Sequence, residues 1–196
     1  MVQIFQNRGV VFRTGFFIIV SLALLVTPVH WVLGWIAAVF FHEFFHYVAL
    51  QICKVPVLGI TVGAFGADIQ TGAMTIWQEI IAALAGPLGS FLLLFFVRAF
   101  PYVSLCALGH LLFNLVPIYP MDGGRVVTGL CVALFGEERG FRCSKIISLS
   151  FLLLLICLSL WISFRYHLGI IPILAAVLII LRALKIPCKE RKLIVQ

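Results

Sequence analysis

Charge is what this sequence has least of. Of 196 residues only 11% are charged, and the acidic ones number seven: Glu43, Asp68, Glu79, Asp122, Glu137, Glu138 and Glu190. A soluble domain carries about 25% charged and about 45–50% apolar residues. Here 63% are hydrophobic and the mean hydropathy is +1.19, which excludes an ordinary soluble domain and points to an integral membrane protein. The six cysteines (53, 106, 131, 143, 157 and 188) form no C-x-x-C pair. That argues against a disulfide framework, and reduced thiols are expected. No repeat, low-complexity tract or hydrophilic domain is visible. No small-residue cleavage site follows the first apolar run, so that run reads as a span and not as a removed signal.

At about 20 residues per span, the length allows one domain with about six spans. Apolar runs place them at 12–27, 30–52, 76–97, 102–135 (broken near its middle), 146–164 and 168–186. The fold class expected is an all-α membrane protein with a broken fourth helix and a small membrane-associated β-hairpin. Its single domain spans residues 1–196, with no PDZ or nucleotide-sensing domain in it. The net charge of +7 could suggest nucleic acid, but the placement of the cations argues otherwise. Arg8, Arg13, Lys54, Arg139, Arg142, Lys145, Arg182, Lys185, Lys189, Arg191 and Lys192 fall on one side of the expected spans. Only Arg98 and Arg165 fall on the other, and Arg125 lies within a span. By the positive-inside rule both termini are cytoplasmic.

The hairpin is expected in 55–72, VPVLGITVGAFGADIQTG, with Gly63 and Gly66 near its turn. The stretch Val57–Val62 has the composition of a strand whose free edge could pair with an unwound substrate segment. The third span carries small residues at Ala82, Gly86 and Ser90, and at Ala85 and Gly89. That spacing lets helices approach closely in lipid, so this helix is expected to pack on the one that carries the histidines. The run NLVPIYPMDGGRV, 114–126, puts Pro117, Pro120, Gly123 and Gly124 at membrane depth. Broken backbone there must line a cavity or lie buried in protein.

Two clusters read as chemistry. His42-Glu43-Phe44-Phe45-His46 is H-E-x-x-H, a run that puts both imidazoles on one helix face where they can share a Zn²⁺. Glu43 projects about 100° round the helix, beside the metal, where it can take a proton from the attacking water. A glutamate in a spanning helix costs at least ~2.5–3.5 kcal/mol, so chance placement is a poor account of it. Catalytic zinc needs a third protein ligand. Glu137, Glu138 and Glu190 lie in cytoplasmic segments, Asp68 in the hairpin, and Glu79 at a helix N-terminus that accounts for it. Asp122 remains, on the broken segment, with a helix N-cap as its structural alternative; His110 is the rival ligand. Asn114 lies four residues after His110, where its amide could hold a substrate carbonyl or simply bond a neighbouring helix. Arg125 is expected to pair with a carbonyl or carboxylate near the break.

Through HEFFH, AGP (85–87) and NLVPIYPMDGG together, over roughly residues 30–135, the chain resembles the site-2 protease family of intramembrane zinc metalloproteases. Within it the likeness is closest to the stage IV sporulation protein FB branch. The resemblance implies His42, His46 and Asp122 as zinc ligands, Glu43 as catalytic acid/base and Asn114 as a substrate-contacting residue. It also implies a multi-pass protein of a bacterial cell membrane. Its partners would be a membrane-anchored protein substrate, cut in or near its transmembrane segment to release a regulator such as a sigma factor, and a membrane regulatory protein. The competing class is a metal-ion transporter or channel, which also buries His and Asp in broken helices. Such a protein has little use for a glutamate directly after the first ligand, and the chain shows no internal repeat.

Overall fold

Apolar side chains that a soluble protein would bury face outward here. Leu25, Phe40, Phe95 and Leu134 are each at least 70% exposed, whereas Ala38, Ala83 and Ala107 are fully buried. In the computed structural model, which describes residues 9–64, 66–166 and 177, the elements are β1 (Val10–Phe12), α1 (Thr14–Val26), α2 (Val29–Ile52), β2 (Val57–Gly63), β3 (Gly66–Thr71), α3 (Ile76–Leu93), α4 (Pro101–Asn114), α5 (Asp122–Phe135) and α6 (Glu137–Tyr166). A 3₁₀ turn, Leu94–Phe96, continues α3. Three helices among the described residues are long and apolar enough to cross a membrane: Val29–Ile52, Ile76–Phe96 and Glu137–Tyr166. The first expected span is the shorter helix Thr14–Val26. The expected fourth is α4 and α5, of 14 residues each, joined across residues 115–121. Apart from residue 177, the expected sixth span, 168–186, lies outside the described residues, as do Arg8, Arg182, Lys185, Cys188, Lys189, Arg191 and Lys192.

Small residues decide the helix packing. A side chain added at Gly89 of α3 would enter the Phe45 ring of α2, and one at Gly34 of α2 would press on the Tyr102 backbone of α4. The α2–α3 packing is the one the small-residue stripe predicts. At one end of the bundle, Gln78 Nε2 donates to the Cys53 carbonyl at 3.0 Å. This ties the start of α3 to the end of α2. Thr75 and Gln78 also cap α3 reciprocally, satisfying two helix-end donors. At the opposite end His30, Trp31 and Tyr102 form an aromatic cluster with ring centroids 4.2–6.3 Å apart, the kind of belt found at membrane interfaces.

The hairpin forms with Gly63 opposite Gly66, and Gly66 takes φ +115°, which glycine adopts without strain. One expectation for this region is corrected. β1 pairs in parallel with β2, Val10 opposite Ile60 and Phe12 opposite Val62, so the sheet order is β1-β2-β3 and β2 is the central strand. The stretch Val57–Val62 therefore has no free edge along Ile60–Val62. A three-residue strand at the chain's start has too little sequence to announce itself, and only a β2 already formed gives it partners.

The break between α4 and α5 packs against α6 through its central residues. Ile118 and Met121 are almost fully buried, with Leu152 and Leu155 of α6 against them. Ser148 of α6 donates to the Pro117 carbonyl at 3.2 Å and accepts from the Tyr119 N–H at 3.4 Å. Side chains added at Gly123 or Gly124 would collide with the Leu115–Tyr119 backbone. The two glycines let α5 restart directly against the break.

Candidate metal centre

The second half of α2 carries His42 and His46 one turn apart, both buried against α3. The two imidazoles are oriented from behind. His46 Nδ1 lies 2.7 Å from the Ala82 carbonyl. A carbonyl only accepts, so Nδ1 carries a proton, and in the neutral ring Nε2 presents a lone pair. His42 Nδ1 lies 2.8 Å from Ser90 Oγ; with the hydroxyl accepting, the neutral ring likewise turns an Nε2 lone pair toward Asp122 and His46. Between Ala82 and Ser90 stands Gly86. A Cβ there would overlap the His46 ring and come within 2.6 Å of His42 Nε2, so the rings occupy the space that glycine leaves.

Asp122, the first residue of α5, closes the group. Met121, not Asp122, holds the N-cap position, and no side chain caps that helix. The Asp122 carboxylate turns to the histidines instead, with Oδ2 3.0 Å from His42 Nε2 and 3.2 Å from His46 Nε2. The two Nε2 atoms are themselves 3.1 Å apart. Electron-rich atoms this close repel one another unless a proton or a cation lies among them. Tetrahedral coordination with bonds of about 2.0–2.1 Å separates ligand atoms by roughly 3.3 Å, so the donor set fits a divalent metal such as zinc. His42, His46 and Asp122 are the one group among the described residues that could hold a metal ion in this way.

No protein-family model and no curated protein matches the chain. Among solved structures it is similar to the site-2 protease from Methanocaldococcus jannaschii, at 20% identity and a TM-score of 0.67, over 100% of this chain and 98% of that one. The two chains share a fold. Within that fold, the donors of this chain come from the start of α5, directly after the break, and from α2.

Glu43 is half-buried on the same helix. Its Oε1 lies 4.0 Å from the position of a Cβ on Gly66, so the hairpin turn stands over this carboxylate. A cavity of about 240 Å³ opens beside Asp122 between Leu84 and Pro87 of α3, Leu115 and Pro117 of the break, and Val126 and Val127 of α5. His110 lies outside the donor group, its ring set edge-on to His42 with centroids 4.5 Å apart. Asn114 is buried and donates through Nδ2 to the His110 carbonyl at 3.0 Å, a bond within α4 and not between helices.

Sequence reasoning missed three residues that support this centre. Ser90 and the Ala82 carbonyl orient the histidines, whereas the sequence pattern marks both positions only as small residues for packing. Glu79, assigned to the α3 N-terminus, accepts from Arg125 Nε at 2.7 Å. The 3.6-residue spacing of 79, 82, 86 and 90 puts all four positions on one helix face, a signal open to reading once α3 is known to face the histidines.

Proposed function

We propose that this chain is an intramembrane zinc metalloprotease that hydrolyses a peptide bond in or near the transmembrane segment of a membrane-tethered protein. The observation that carries the reading is the convergence of His42 Nε2, His46 Nε2 and Asp122 Oδ2 within 3.2 Å, with Glu43 one residue along the same helix and outside the donor group. A zinc ion held there supplies Lewis-acid chemistry, making water more acidic and polarising a carbonyl. Glu43 is the base: its carboxylate takes the proton from the attacking water and returns it to the leaving amide nitrogen. Asn114 Nδ2 has a second hydrogen beyond its bond to His110, with which it can hold a substrate carbonyl. The protein neighbours of the break let polar backbone and water stand at a depth where lipid would exclude them.

The chain is read as a six-span protein of a bacterial membrane with cytoplasmic termini. His46 lies six residues from the end of α2, about 9 Å along the axis, which, with cytoplasmic termini, supports a centre nearer the cytoplasmic face. Release of a tethered cytoplasmic regulator, a sigma factor among them, suits that depth and the resemblance to the sporulation branch. The test is purified wild type against Glu43→Gln, His46→Ala and Asp122→Ala, co-expressed with single-span precursor proteins. Glu43→Gln should keep its zinc and lose cleavage, while the other two lose the metal. Near-normal turnover by Glu43→Gln would overturn the mechanism with Glu43 as base, and a wild type that holds metal yet cleaves no precursor would favour a metal-transport protein.

A further inference from the structure

The ion pair beside the metal centre is poorly explained by stability. Arg125, one turn after Asp122 on α5, places Nη1 3.5 Å from Asp122 Oδ1, the oxygen not in contact with the histidines. Its Nε donates to Glu79 Oε1 at 2.7 Å. Glu79 is buried, and its second oxygen, Oε2, has no hydrogen-bond partner among the described residues. Buried ion pairs recover little of what desolvation costs, and apolar residues of similar volume often replace them without loss. A pair with one carboxylate oxygen unsatisfied is a worse bargain still.

Position suggests what the pair does instead. Three residues on one face of α3 reach the three candidate ligands. Ala82 holds His46, Ser90 holds His42, and Glu79 holds Asp122 through Arg125. On the reading that this centre binds zinc, we propose that Glu79 and Arg125 are positioning residues. Arg125 engages Oδ1, so that Asp122 presents Oδ2 alone to the metal. Glu79 fixes the guanidinium in place and offsets its positive charge, which would otherwise oppose a cation a few ångströms away. The face of α3 at Glu79, Ala82 and Ser90 then orients all three ligands from one rigid element, while Gly86 leaves room for the rings. Partners of this kind affect metal affinity nearly as the ligands do.

The test compares the full-length chain in detergent as wild type, Glu79→Gln, Arg125→Lys, Arg125→Met and the apolar double variant Glu79→Met with Arg125→Met. Zinc affinity is measured by competition with a chelator, the absorption spectrum is recorded after cobalt substitution, and thermal unfolding is followed without metal. Arg125→Met should weaken zinc binding about 10–100-fold and alter the cobalt spectrum, and Glu79→Gln should do so to a smaller degree. Arg125→Lys should restore part of the affinity. The double variant keeps the volume without the charges, so it should unfold near the wild-type temperature yet bind zinc as weakly as Arg125→Met. Wild-type affinity and spectrum in the double variant would overturn the proposal and leave the pair a structural contact. A wild-type chain that takes up no zinc, or a His46→Ala variant that keeps it, would overturn the metal-centre reading itself.

Discussion

Replacing Gly86 by alanine tests the geometry of the metal centre with one methyl group. A Cβ at this position would stand 2.6 Å from His42 Nε2, and ordinary contact begins at 3.4 Å. The ring must therefore retreat by about 0.8 Å, several times the ~0.2 Å within which metal–ligand distances are held. The overlap with His46 is larger. Neither ring can retreat freely, because each is held from behind at 2.7–2.8 Å by Ala82 and Ser90. Overpacking of this kind costs about 1–3 kcal/mol of stability. The larger effect falls on the metal, where displaced ligands should cost at least ~100-fold in affinity. The assay is zinc content and chelator competition on purified protein, beside cleavage of a co-expressed precursor. Gly109→Ala on α4 is the control: nothing stands within 4 Å of its Cβ, and in a helix the change should be neutral or stabilise by about 0.5–1 kcal/mol. A Gly86→Ala variant that keeps one tightly bound zinc and normal cleavage would show that the imidazoles do not occupy this space.

Ser90→Ala removes the partner of His42 Nδ1 and should weaken zinc binding about 10–100-fold while leaving KM for a precursor nearly unchanged; a change confined to KM would mean that Ser90 acts on substrate and not on the ring. Membrane-impermeant thiol reagents applied from outside should label a single cysteine placed at 98–101 and miss Cys188, in a background lacking the other thiols. The reverse pattern would overturn the orientation drawn from the charges. Proline at Ile60 or Val62 falls on a strand flanked on both sides; either change should lower cleavage by damaging the sheet, with a matching fall in thermal stability.

Much of this protein is written in short-range pattern. Apolar runs mark the helices because a segment in lipid must satisfy its own backbone, and that requirement acts residue by residue. The H-E-x-x-H spacing brings two imidazoles together within one turn, whatever the rest of the chain does. Pro117, Pro120 and the Gly123-Gly124 pair interrupt the helix for reasons local to each residue, and the small-residue stripe on α3 indicates close approach to a neighbour. Tertiary structure decided what lies between distant segments. Asp122, and not His110, joins the histidines' donor group because the break turns the start of α5 toward α2 across 76 residues of sequence. Ser90 became the partner of His42 and Glu79 that of Arg125 when α3 docked in one rotational setting, which periodicity narrows to a face without naming the contacts on it. β1 joined the sheet because a strand of three residues is defined by its partner's open edge, and its own composition carries no such information. Local propensity acts over about four residues, whereas the chemistry of this centre depends on how four separate helices pack.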